Sequence, residues 1–161
     1  TTVNIDPTAE EVAEIANLVA KKVRRLNIHP RIALLSYSNF GSAKGKDAEK
    51  MAKAREIINE RYPNLVVDGE IQANFALNNE LLMDKFPFSD LANKQVNTLI
   101  FPNLTAGNIA YKLLQEMGDG VEAIGPILVG MNKSIHVLQL GSSGREIQNM
   151  VKVAVVDAQI K

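Results

Sequence analysis

Three short loops of this sequence carry residue types that can hold a phosphate-bearing or other anionic ligand. The first is SYSNFGSAKGK, residues 36–46, in which glycines let backbone N–H groups approach an anion and lysines add positive charge. Its candidate ligand-binding residues are Ser36, Ser38, Gly41, Ser42 and Lys44. The spacing does not fit a Walker A loop. The alternative interpretation is a solvated turn that leads into a helix.

The second loop, residues 102–108, lies where an apolar strand-like run passes into a helix-like run. Asn103, Gly107 and Asn108 are its candidate ligand-binding residues, since amide side chains and exposed N–H groups both bind polar ligands. The alternative is ordinary turn formation, with Thr105 as the N-cap of the helix.

The third loop, QLGSSGRE, residues 139–146, is a glycine-serine turn that opens a helix. Gly141, Ser142 and Ser143 can present N–H and hydroxyl groups to an anion at this position. Leu140, however, stands where a charge-binding site would benefit from a cation. The alternative is a capping box between Ser143 and Glu146, which explains the segment without any chemistry.

Other polar residues give weaker signals. Asp68 and Glu70 have the oxygen ligands that Mg²⁺ prefers and could exchange protons, but a polar strand end is the favoured interpretation. The two histidines, His29 and His136, lack metal-ligand spacing, and His136 is expected to pack on a strand. The sequence has neither a G-x-S-x-G nor a G-x-G-x-x-G motif.

Composition excludes several classes of function. The chain has 161 residues with 18 basic and 18 acidic side chains, whereas nucleic-acid binding usually requires a basic excess. No apolar run approaches the ~18 residues of a membrane span. There is no cysteine, and hence no disulfide, thiolate catalyst or cysteine zinc site. We expect a cytoplasmic protein and, because the sequence starts without methionine, a processed product or a piece of a longer chain.

The elements that must position these loops alternate along the chain. Apolar residues at helical spacing predict helices over 6–27, 48–62, 78–86, 105–118 and 143–161. Short apolar runs predict strands over 31–38, 64–72, 96–103, 122–130 and 134–138. This alternation favours a three-layer α/β/α domain with a largely parallel sheet, in which ligands bind beyond the carboxyl ends of the strands.

Five long motifs, in this order, resemble the phosphate acetyltransferase (phosphotransacetylase) family: SYSNFGSAKGKDAEKMAKA, VDGEIQANFAL, LIFPNLTAGNIAYKLLQ, AIGPILVGMNKSIHVL and GSSGREIQNMVKVAVVDAQ. The likeness covers the whole chain but only the C-terminal half of that fold. TTVNIDPTAEE and FPNLTAGNIAYKLLQ look closest to the C-terminal domain of multidomain NADP-dependent malic enzymes.

The resemblance implies a two-lobed architecture similar to isocitrate and isopropylmalate dehydrogenases, with coenzyme A in the cleft between the lobes. Residues 1–139 would form one lobe, and 140–161 a helix that returns to the absent lobe. The three loops named above would contribute to an acetyl-CoA site. NADP and a divalent metal would belong to an upstream malic-enzyme domain.

The third loop departs from the family motif S-R-G-x-x-x-x-D, in which the arginine binds the acyl and phosphate end of the substrates and the aspartate acts as a base. Gln139 replaces the serine, Leu140 the arginine and Glu146 the aspartate, while Gly141 is retained. Since leucine supplies neither charge nor hydrogen-bond donor, we expect no acetyl transfer.

The sequence leaves three functions open. The chain can be an acetyl-CoA-sensing regulatory domain, an active phosphate acetyltransferase with unusual residues, or a purely structural domain. The last helix would expose an apolar stripe, which predicts a homodimer or a larger assembly. The expected members of this stripe are Ile147, Met150, Val151, Val155 and Ile160.

Overall fold

The computed structural model describes residues 3–118, 123–138 and 140–159. In chain order, its elements are α1 (Ala9–Arg25), β1 (Arg31–Leu35), α2 (Lys46–Arg61), β2 (Val66–Ile71), α3 (Ala73–Leu77), α4 (Asn79–Lys85), β3 (Thr98–Ile100), α5 (Leu104–Met117) and α6 (Gly144–Gln159). No helix within these ranges is both long enough and apolar enough to cross a lipid bilayer.

The three strands form one parallel sheet in the order β2-β1-β3. Ile32 of the central strand β1 lies opposite Val67 on one side and Thr98 on the other. Because the strands are parallel, the loops that follow them leave from one edge of the sheet. The predicted α/β class and parallel sheet are confirmed.

Both faces of the sheet are covered, as the apolar character of β1 requires. Ile32 and Leu34 pack with buried residues of α1 and α2, including Ala16 and Met51. The alternate residues, Ala33 and Leu35, belong to a second cluster on the opposite face. Burial of each large aliphatic side chain stabilises the fold by ~1.5–3 kcal/mol.

The helix starts follow local rules. Thr8 and Glu11 form the predicted capping box of α1: Thr8 Oγ1 accepts from Glu11 N at 3.2 Å and Glu11 Oε2 from Thr8 N at 2.8 Å. For α5 the prediction was wrong, because Asn103 rather than Thr105 is the N-cap and its Oδ1 accepts from Ala106 N at 2.9 Å. Asparagine caps well, and β3 ends early enough to leave it at the first turn.

Two predicted strands do not form, since residues 123–130 and 134–138 have no strand pairing. An apolar run indicates burial, whereas a strand also needs its N–H and C=O groups aligned with a neighbour. Pro126 lacks an N–H group. An apolar groove of 580 Å³ lies between residues 126–129 and the free edge of β3. His136 is therefore not on a strand, and its Nε2 lies 3.2 Å from Asp157 Oδ2 in α6.

Candidate functional site

Hydrogen bonds within the loop after β1, and from this loop to Glu70 of β2, fix the loop's conformation. Ser38 is fully buried, and its hydroxyl donates to Glu70 Oε1 at 2.9 Å. Gly41 N donates to the same carboxylate oxygen at 2.6 Å, and Ser42 Oγ accepts from Asn39 N at 2.8 Å. Three of the candidate ligand-binding residues thus hold the loop in shape. Within this loop, Ser36 is half-buried and Lys44 is exposed.

Asp68 and Glu70 were predicted to lie at a polar strand end, and this prediction is wrong. Both residues lie within β2 and are buried. Asp68 Oδ2 accepts from Ser89 Oγ at 2.7 Å and from Asp90 N at 2.9 Å. Arg55 Nε lies 2.7 Å from Asp68 Oδ1, an ion pair in which the N–H is not aligned as a hydrogen bond. Each carboxylate organises a loop, and the described residues contain no group of three or more His, Asp or Glu side chains able to hold a metal ion.

The first and second loops meet at a groove of 450 Å³, here called the loop groove. Its lining residues are Ile5, Asp6, Tyr37, Lys46, Asp47, Asn103 and Thr105. Asn103 Nδ2 lies 3.4 Å from Asp47 Oδ2 and links the starts of α5 and α2. The other second-loop candidates do not line this groove: Gly107 is buried beside the apolar groove, and Asn108 is exposed.

Charged side chains at the loop groove form one connected group. Lys50 Nζ lies 2.7 Å from Asp6 Oδ1 and 3.1 Å from Asp47 Oδ1, and Lys46 Nζ lies 3.3 Å from Asp6 Oδ2. Hydrogen bonds from Lys50 and Lys46 hold the pKa of Asp6 below its ordinary value. The two carboxylates raise the pKa of Lys50, although burial alone would lower it.

The third loop stands apart from these grooves. Ser143 N donates to Glu146 Oε2 at 2.6 Å and Glu146 N to Ser143 Oγ at 3.2 Å, which confirms the predicted capping box. Leu140 is fully exposed, and Gly141 adopts a positive φ of 86° at the turn. Ser142 is half-buried, and Gln139 lies outside the described residues. None of the grooves described above includes a residue of this loop.

Sequence reasoning missed Asp6, Asp47 and Lys50 as partners at the first two loops. Asp6 is 40 residues from Lys46 and 44 from Lys50, so no local spacing signals their contact. Lys44, by contrast, lines a separate groove of 650 Å³ together with Gly41, Arg55 and Phe88. The structure therefore joins the first two loops at one site and distributes the remaining candidates elsewhere.

Comparison with known proteins finds similar sequences in malic enzymes and in phosphate acetyltransferases. An NADP-dependent malic enzyme from Haemophilus influenzae is 45% identical over 159 residues, which are 99% of this chain and 21% of that protein. A phosphate acetyltransferase from Clostridium acetobutylicum is 43% identical over 158 residues, 98% of this chain and 47% of that protein. The chain thus spans about a fifth and about half of these relatives.

The fold is shared as well as the sequence. A phosphotransacetylase structure from Streptococcus pyogenes superimposes with a TM-score of 0.91 and 41% identity, covering 99% of this chain and 48% of that one. A family model described as phosphate acetyl/butaryl transferase matches residues 1–155. Since the match takes in both loops of the groove and most of α6, the chain belongs to the phosphate acetyl/butaryl transferase family.

Proposed function

We propose that this chain is a non-catalytic, acetyl-CoA-sensing regulatory and oligomerisation domain of an NADP-dependent malic enzyme, which oxidatively decarboxylates malate to pyruvate. Leu140 carries the proposal. It stands at the position of the motif arginine, and its side chain is an exposed hydrocarbon. An acyl-phosphate substrate develops charge that needs a preorganised donor, and loss of one such donor costs about 10²–10³ in rate.

Glu146 supports the same conclusion. Its carboxylate accepts hydrogen bonds at the start of α6, and these bonds lower its pKa below the ordinary value. A carboxylate with a lowered pKa, already engaged in a cap, is a poor base for a thiol. The capping of α6 therefore accounts for Glu146 without any catalytic role.

We expect acetyl-CoA near the first two loops, where Lys46, Asn103 and Thr105 line one groove. NADP and a divalent metal are assigned to the upstream domain. We also propose the architecture that the family resemblance implies. In the intact protein this domain would have a second lobe and an isocitrate dehydrogenase-like fold, and α6 would return to the second lobe.

The test is malate-dependent reduction of NADP⁺ by the intact protein, with and without acetyl-CoA. The proposal expects acetyl-CoA to change the rate, and deletion of residues 1–161 to abolish this response while malate oxidation continues. Malate oxidation that is indifferent to acetyl-CoA would favour a purely structural domain. Absence of malate oxidation would remove the malic-enzyme assignment.

An active phosphate acetyltransferase is the second candidate, favoured by the 43% identity to the Clostridium acetobutylicum enzyme. Formation of acetyl-CoA from acetyl phosphate and CoA separates the two. We expect no activity above background. If the protein is active and Leu140→Arg leaves that activity unchanged, the argument from Leu140 is wrong.

A further inference from the structure

The segment that precedes α1 lies across the loop groove and supplies acceptor atoms to both of its walls. The Asp6 carboxylate accepts from Lys46 and Lys50 of α2. The backbone carbonyl of the preceding residue, Ile5, accepts from Leu104 N at 2.9 Å, at the first residue of α5. Residues 5 and 6 therefore take donors that an oxygen-rich ligand in this groove would also use.

The local charges explain why Asp6 is held there. Lys50 has a side chain only 8% exposed, and its ammonium group lies between Asp6 and Asp47. With Asp6 in place, two lysines and two aspartates balance. If Asp6 left, one positive charge would remain uncompensated in a groove that also contains the amide of Asn103. Such a charge favours an incoming anion.

We propose that Asp6 is the resident occupant of an oxyanion site formed by Lys46 and Lys50, and that a phosphate-bearing ligand competes with it and releases residues 3–6. The ligand chemistry is a phosphate or pyrophosphate group, either free or as part of a coenzyme. Only its identification with the phosphates of acetyl-CoA rests on the proposed function.

The ion pairs that hold Asp6 are weak enough for a ligand to displace it. Lys46 and Asp6 have side chains that are 84% and 52% exposed, and ion pairs in such surroundings are weak and screened by salt. The pair with Lys50, which is 8% exposed, is the stronger of the two, but the Asp6 carboxylate remains half open to solvent in both. Val3 and Ile5 are also exposed, so little apolar burial holds this end of the segment. Just beyond it, the Thr8–Glu11 capping box fixes the start of α1. Release can therefore be confined to the residues before the helix.

The experiment measures dissociation constants of the intact protein for inorganic pyrophosphate and for acetyl-CoA by calorimetry. Asp6→Asn removes the competing charge and leaves both lysines, so we expect both probes to bind roughly 3- to 10-fold more tightly. Lys46→Gln, at an exposed position, should weaken binding. Asp84→Asn is the matched control, since Asp84 is exposed and pairs with Lys85 outside the groove.

Hydrogen exchange gives an independent readout. Pyrophosphate should accelerate exchange of the Leu104 amide, which loses its acceptor when residues 3–6 are released. If the Asp6 ion pairs only fasten residues 3–6, Asp6→Asn should speed exchange of the Leu104 amide but leave the affinities for pyrophosphate and acetyl-CoA unchanged. That result would overturn the proposal. So would failure of pyrophosphate to bind either protein at millimolar concentrations.

The two probes separate this inference from the proposed function. If Asp6→Asn tightens pyrophosphate binding and leaves acetyl-CoA unaffected, the competition is supported and acetyl-CoA does not place its phosphates in this site. If pyrophosphate affinity is unchanged while acetyl-CoA still alters malate oxidation, the regulatory function stands and the role given to Asp6 is wrong.

Discussion

At the scale of single residues, Glu146 makes the stability of α6 dependent on pH. Hydrogen bonding with the backbone N–H and the side chain of Ser143 stabilises its carboxylate, and the pKa of Glu146 lies below its ordinary value of 4.5. A group whose pKa is lowered by folding stabilises the folded state above its unfolded pKa. The contribution is therefore complete above about pH 4.5 and is lost as the pH falls through the folded pKa.

Two substitutions separate the hydrogen bond from the charge. Glu146→Gln keeps an acceptor for Ser143 N but cannot titrate, whereas Glu146→Ala removes the acceptor as well. Between pH 7 and pH 3, the difference in thermal midpoint between wild type and Glu146→Gln should shrink as the pH falls. Glu116→Gln, an exposed glutamate on α5, controls for the loss of one negative charge. A constant difference across this range would contradict the prediction.

Glu146 and Asp68 show that contacts between residues close in sequence can be predicted, whereas contacts between distant residues cannot. The Ser143–Glu146 pair is three residues apart, so its spacing alone predicts the cap. Asp68 meets Ser89 across 21 residues, and only the fold brings them together. For the same reason the sequence points to Ser38, which is buried, and gives no signal for Asp6.

At the scale of elements, Gly69 sets how closely β1 and β2 can approach. Its φ is +141°, and a Cβ atom at this position would lie 2.6 Å from the backbone oxygen of Leu34. The register of the two strands also shifts between Leu34 and Leu35. Because the conflict is with backbone, a side chain cannot relieve it by changing rotamer.

Gly69→Ala should lower the free energy of unfolding by about 2–4 kcal/mol, as expected for overpacking combined with a disfavoured φ. Urea unfolding, together with hydrogen exchange of the β1 amides, measures the loss. Gly144→Ala is the matched control, because a Cβ there meets nothing within 4 Å. It should change stability by no more than about 1 kcal/mol, in the stabilising direction. Equal effects of the two substitutions would refute the packing argument.

Elements with strong local patterns were predictable, whereas only three of the five predicted strands form, as β1, β2 and β3. The apolar stripe and capping box of α1 are both local, and the helix forms where expected. Residues 122–130 and 134–138 are also apolar runs and were predicted as strands. Residues 123–130 and 134–138 nevertheless form no strand, because a strand needs an adjacent strand whose N–H and C=O groups are aligned with its own. The short helix α3 was missed, since five residues give too little periodicity to recognise.

At the scale of the whole molecule, two helices leave apolar faces uncovered within the described part of the chain. On α5, Ile109, Leu113 and Met117 recur every four residues and are all exposed. On α6 the expected stripe is only partly right: Met150 is buried because the helix turns it towards the rest of the chain, and Ile160 lies outside the described residues. The exposed apolar members of α6 are Ile147, Val151, Val155 and Val156.

Exposed stripes of this kind mark surfaces that associate. The chain covers only 48% of the Streptococcus pyogenes phosphotransacetylase, so either the remainder of a related fold or a second copy can cover them. The proposed oligomerisation role predicts that a second copy covers the α5 face. A carboxylate placed there would be buried without a partner on association, at a cost of several kcal/mol.

Leu113→Glu is the sharpest test of this prediction. In sedimentation equilibrium of the intact protein, wild type should be a dimer or larger, and Leu113→Glu should raise the dissociation constant at least ~10-fold. Asn108→Glu adds the same charge at an exposed position on the opposite side of α5 and should leave association unchanged. If Leu113→Glu keeps the wild-type mass but lowers the thermal midpoint, the stripe packs within its own chain instead. If wild type is a monomer at micromolar concentration, the oligomerisation role is wrong, and acetyl-CoA sensing would have to act within one chain.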